Sequence, residues 1–147
     1  MPFRTILVAF DASDHSRRAL ETACGLARAL GAELHVVSTP QPDMPPVVLE
    51  PFGGYVSVPP TDEQVAEAGA EVERQARALA AERGVDRIEF HARRGDPVDA
   101  VLSIAEASRA DLIVLGRRGL GVFKAFALGS VSTAVTRGAK CPCLTVN

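Results

Sequence analysis

The residues best placed for chemistry lie late in the chain. From position 116 the sequence reads Gly116-Arg117-Arg118-Gly119-Leu120-Gly121, and with nine residues between, Gly119 is followed by Gly129-Ser130-Val131. Glycines let a backbone turn sharply and approach a ligand closely. Gly129 and Ser130 stand where a short helix is expected to open. The first N–H groups of a helix have no partner inside it, and the helix dipole adds positive potential there. Such an end suits an anion such as phosphate. The Ser130 hydroxyl adds a donor, and Arg118 and Lys124 add positive charge. The pattern is a phosphate cradle built chiefly from backbone. It is neither a P-loop nor the dinucleotide fingerprint, since no G-x-x-x-x-G-K-[ST] occurs and no G-x-G-x-x-G follows the first strand.

Other reactive side chains are sparse. Cys141-Pro142-Cys143 has no histidine or carboxylate close in sequence to complete a tetrahedral metal site. It reads as a proline turn entering a strand, with Cys143 as a small hydrophobe. The three histidines, His15, His35 and His91, share no motif and are assigned no ligand role.

The elements that must carry the cradle alternate between strand and helix. Arg4 to Phe10 is a continuous apolar run, as in a strand covered on both faces. Ser13 or Asp14 can cap a helix with the stripe Ala19, Leu20, Ala23, Ala27 and Leu30, ended by Gly31. Glu33 to Ser38 is the second strand. Thr61 with Gln64 forms a capping box for a helix that Gly84 ends. Arg87 to Ala92 alternates, with Ile88 and Phe90 on one face and Glu89 and His91 on the other. Asp96 and Pro97 open a third helix. Leu112 to Leu115 is the fourth strand, a helix runs from Ser130 to near Gly138, and Cys143 to Val146 is the fifth strand.

This alternation predicts an α/β fold, a single doubly wound five-stranded parallel sheet with helices on both faces. The uniformly apolar first and fourth strands belong in its centre and the alternating third and fifth at its edges. The strand order is then 3-2-1-4-5. Its switch point lies between strands one and four, where ligands bind beyond the carboxyl ends. Asp11 and Gly116 end those two strands. Thr39 to Pro60 carries seven prolines and Gly53-Gly54, so no regular element is expected there. A loop this long is a candidate partner surface.

The bulk numbers agree with one domain over residues 1–147. Apolar residues make up 47% and charged residues 23%, and the net charge of -2 offers no basic excess for nucleic acid or an anionic membrane. The longest apolar runs are too short to span a bilayer, and the N-terminus shows no signal-peptide pattern, so a cytoplasmic location is expected.

The spacing Gly116-x2-Gly119-x9-Gly129-Ser130 resembles that with which the universal stress protein family binds ATP. The resemblance extends along the chain. Ile6 to Asp11 looks like the family's first strand with its terminal aspartate, Ala12-Ser13 stands where Gly-Ser is frequent, and Leu34 to Val37 resembles the second strand. Gly95-Asp96-Pro97 and Cys141-Pro142 match the family's Gly-x-Pro and Cys-Pro. The resemblance implies an adenine nucleotide module for stress response or signalling that binds ATP with Mg²⁺ held largely by the phosphates. It is a binder with at most slow hydrolysis or autophosphorylation. Ala9, Phe10 and Asp11 would line the adenosine side, with Asp11 near the ribose. Val36 and Leu115 would sandwich the adenine, and Gly116, Arg118, Gly119, Gly129, Ser130 and Val131 would hold the phosphates. Homodimers through the last strand, Cys143 to Val146, are implied, with neither nucleic acid nor membrane as partner. Arg117 for a small residue and Ala12 for Gly depart from the family pattern. On the residues alone, Asp11 as a helix N-cap and Lys124 as a solvated side chain stay open. So do AMP or cyclic AMP as ligand, and a dimeric partner-binding protein that uses no nucleotide. A phosphoacceptor receiver domain is excluded, because strands three and five end in His91-Ala92 and Val146-Asn147 rather than in aspartate and lysine.

Overall fold

The computed structural model describes residues 3–42, 47–49, 51, 53–56, 58–117 and 130–147. Its elements run β1 (Thr5–Ala9), α1 (Asp14–Leu30), β2 (Glu33–Ser38), β3 (Val47–Leu49), β4 (Gly54–Val56), α2 (Asp62–Glu82), β5 (Glu89–Ala92), α3 (Pro97–Ala107), β6 (Leu112–Gly116), α4 (Ser130–Gly138) and β7 (Cys143–Val146). Strands β5-β2-β1-β6-β7 form one parallel sheet. This is the expected 3-2-1-4-5 order once the small hairpin β3–β4 is set aside.

The core has two layers because side chains alternate across a strand. Ile6, Val8, Phe10, Leu34, Val36, Leu112 and Val114 face α1 and α2. Leu7, Val37, Ile113 and Leu115 face α3 and α4. The central strands β1 and β6 are buried on both faces, while β5 and β7 are half-exposed. Burial on two sides requires the unbroken apolar runs seen in the sequence.

Helix ends follow local chemistry. Ser13 caps α1, its hydroxyl accepting from the Ser16 N–H, and Gly31 closes the helix at φ 65°. Thr61 and Gln64 form the reciprocal capping box of α2. Asp96 caps α3 with Pro97 in its first turn. Asp111 ties strand starts together, its carboxylate accepting from the Arg4 N–H at 2.8 Å and the Thr5 N–H at 3.1 Å.

The Thr39–Pro60 segment corrects one expectation. It holds a regular element, the antiparallel hairpin pairing Val47 with Val56, Val48 with Tyr55 and Leu49 with Gly54. The prolines flank it or, like Pro51, fall in its turn, so no ladder N–H is lost. Gly53 supplies the left-handed residue of that turn at φ 64°. Tyr55 is 72% exposed, and Val47, Leu49, Val56 and Val58 are also open to solvent.

Candidate functional site

The register sets the ends of β1 and β6 side by side, Val8 opposite Val114. The chain leaves β1 through Phe10, whose N–H donates to the Val37 carbonyl at 2.9 Å and whose ring is buried against α1 and α2. Asp11 then projects into solvent. Its Oδ1 accepts from the Ser13 N–H at 2.9 Å, forming an Asx turn rather than the helix cap itself, which is Ser13. The other carboxylate oxygen has no partner among the described residues.

Ala12 makes this turn with φ 67°, the left-handed region that a Cβ disfavours. The turn holds because neighbours clamp it. The Ser16 hydroxyl receives the Asp11 N–H at 3.2 Å and donates to the Ser13 carbonyl at 3.0 Å. Arg17 Nε donates to the Ala12 carbonyl at 3.2 Å, and its Nη2 donates to Gln75 of α2.

Gly116 faces the same turn from β6. A Cβ there would lie 2.8 Å from the backbone carbon and oxygen of His15. The first turn of α1 therefore rests directly on the end of β6, and only glycine fits between them. His15 Nδ1, beside this contact, is the one buried side-chain polar atom without a hydrogen bond among the described residues. Ser130 opens α4 and is exposed, and Val131 packs partly into the α3/α4 layer. Because α4 leads by a short connection into β7, which runs parallel to β6, its N-terminus lies toward the carboxyl end of the sheet.

Ala9, Phe10, Asp11 and Gly116 are thus brought together at the switch point, with Ser130 and Val131 at the start of α4. Arg118, Gly119, Gly129 and Lys124 lie outside the described residues. The adenine sandwich requires correction. Val36 points into the α1/α2 layer and Leu115 into the α3/α4 layer, and both are buried. Side chains on opposite faces of one sheet cannot enclose a common ring. Arg117 turns toward the sheet edge, where its N–H donates to the Val146 carbonyl and its Nη1 to Asn147 Oδ1 at 2.6 Å.

Sequence reasoning passed over His15, Ser16 and Arg17, which build the turn. The signal available was their place in the first turn after the strand that ends at the switch point. It also passed over the meeting of His35 and His91. Cys24 is buried, whereas Cys141 and Cys143 are only partly buried. Burial pushes Cys24 up to about 11 and raises Cys141 and Cys143, which keeps all three protonated. No cluster of three metal-ligating side chains occurs among the described residues.

A doubly wound sheet with its rim at the β1/β6 switch point defines the class of fold. Within it, the family model of the universal stress protein family matches residues 2–147. A universal stress protein of Thermus aquaticus is 40% identical over 98% of both chains. The universal stress protein YxiE of Bacillus subtilis is 36% identical over 98% of this chain and 99% of its own. A crystal structure of a universal stress protein in complex with cAMP superposes with a TM-score of 0.74 at 28% identity, covering 100% of this chain and 99% of that one. The chain belongs to the universal stress protein family. Among the described residues no helix is long and apolar enough to cross a membrane.

Proposed function

We propose that this protein is an adenine nucleotide-binding module of the stress response, with ATP as its ligand and Mg²⁺ held largely by the phosphates. The observation that carries the reading is the rim where Asp11 and Gly116 meet the first turn of α1. An ionised carboxylate accepts hydrogen bonds only, which suits the two hydroxyls of a ribose, and Asp11 keeps one oxygen available for them. The backbone of Ala9 and Phe10 lines the adenosine side. Gly116, Ser130 and Val131, with Arg118, Gly119 and Gly129 from the loop, hold the phosphates. The spacing of these residues and a relative solved with cAMP support an adenine ligand. Asp11 serves the ribose side rather than the phosphates, so the protein is a binder with slow turnover at most. The module works in the cytoplasm as a homodimer. The exposed edge strand β7, with Leu144 38% exposed, is the surface through which it pairs.

Two measurements test this. Mass spectrometry of small molecules released on denaturing the purified protein should find an adenine nucleotide. Calorimetric titration should give a Kd near micromolar for ATP, about -8 kcal/mol, weaker values for AMP and cyclic AMP, and no binding in folded Gly119→Val or Gly129→Val. A chain that binds no adenine nucleotide refutes the reading and leaves the partner-binding dimer. Leu144→Glu should convert a dimer to a monomer in sedimentation; a wild-type monomer would overturn the pairing.

A further inference from the structure

Histidines 35 and 91 are 56 residues apart, yet parallel pairing of β2 and β5 makes them diagonal neighbours, with Val37 opposite His91 and His35 opposite Glu89. Their rings share one orientation within 4°, with centroids 5.2 Å apart. His35 Nδ1 and His91 Nε2 are 2.9 Å apart. Face-to-face rings keep all their atoms at least about 3.5 Å apart. A shorter nitrogen contact between parallel rings means that they meet edge to edge, joined by an N–H···N hydrogen bond in their common plane.

Such a bond counts protons. In the neutral pair one facing nitrogen carries hydrogen and the other offers a lone pair. The next proton goes to an outer nitrogen. His35 Nε2 is suited to it, lying 3.9 Å from the Glu33 carboxylate. The imidazolium so formed still donates through Nδ1, now with charge assistance. A second added proton must take the lone pair of His91 Nε2. Two N–H groups then face each other on two cations, and the bond is gone.

We propose that His35 and His91 form a proton-counting clasp between β2 and the edge strand β5, closed with the pair neutral or singly protonated and opened by double protonation, so that β5 loosens in acid ahead of the central strands. The surrounding charges fit this behaviour. Partial burial, then His35, then Arg93 hold the His91 imidazole below its ordinary value, and Glu89 opposes them. Helix α3, packed on β2, turns apolar Ala100, Val101 and Ile104 to this layer. A folded value below the ordinary 6.5 means that the unfolded chain binds more protons as pH falls past 6.5. The stabilising contribution is therefore complete above that pH and is lost as pH falls through the folded value. The opened strand leads through Ala92 into Arg93 and Arg94, which border a cleft of about 460 Å³ with α2, so acid reaches that cleft as well.

The clasp is tested on the whole protein by ¹⁵N-detected imidazole titration and hydrogen exchange between pH 7.5 and pH 4.5, corrected for intrinsic exchange. The two histidines should titrate in separate steps, with the His91 midpoint below the ordinary 6.5. Exchange of the β5 amides, and of the Arg93 amide that follows them (bonded to the Ser38 carbonyl), should rise by up to about tenfold relative to β1 for each pH unit between 6.5 and the His91 midpoint and level off below it. In His91→Gln and in His35→Gln that rise should vanish. Equal midpoints, β5 amides that follow β1, or acid loosening retained in a folded glutamine variant would each overturn the clasp. The wild-type titration decides the matter even if neither variant folds.

Discussion

The β1–β6 junction and the β3–β4 hairpin are both paired strands, yet they are held in opposite ways. At the junction, strands buried on both faces are locked by helices, and the exit turn uses almost every polar group it has. The hairpin carries Val47, Leu49, Tyr55 and Val56, all exposed, and among the described residues its main contacts run between its own two strands. An isolated two-stranded hairpin is marginal in water. A backbone ladder, parallel at the junction and antiparallel in the hairpin, therefore yields rigidity only where packing backs it.

Substitutions sharpen this contrast. Gly116→Val drives side-chain atoms into the His15 backbone and should cost about 3 kcal/mol or more in urea unfolding, since neither backbone can give way. Asp111→Ala removes the acceptor of the Arg4 and Thr5 N–H groups and should cost about 2 kcal/mol by the same assay. Ala12→Gly relieves a left-handed residue and should stabilise the protein by about 1 kcal/mol, seen as a raised Tm. Tyr55→Ser should change stability by less than about 0.5 kcal/mol. If Tyr55→Ser proved as costly as Asp111→Ala, the hairpin would belong to the folded core and the contrast would fail.

Most of the fold is legible in the sequence because burial writes itself as periodicity. The unbroken runs of β1 and β6 mark the centre, and the alternation of Ile88, Glu89, Phe90 and His91 marks an edge. The caps at Ser13, Thr61 and Asp96 are local hydrogen-bond chemistry and are read locally. The hairpin escapes because proline density is a property of the whole segment, whereas a ladder needs only three residues per strand without proline. Parity along β2 and β6 already contains the separation of Val36 from Leu115, since odd and even positions face different layers. The His35–His91 bond is invisible in sequence because strand register creates it, and register is a property of the assembled sheet.

The hairpin's independence has a consequence for how such a chain can change. Closing a longer loop costs only about 0.6 kcal/mol for each doubling of its length. A segment between β2 and α2 that lends the sheet little support can be lengthened, shortened or exchanged while the rim at Asp11 and Gly116 stays as it is. Position 116 tolerates one residue, whereas the stretch from Val47 to Val56 is a graft site, where new recognition surfaces can be tried on a constant scaffold without renegotiating its stability.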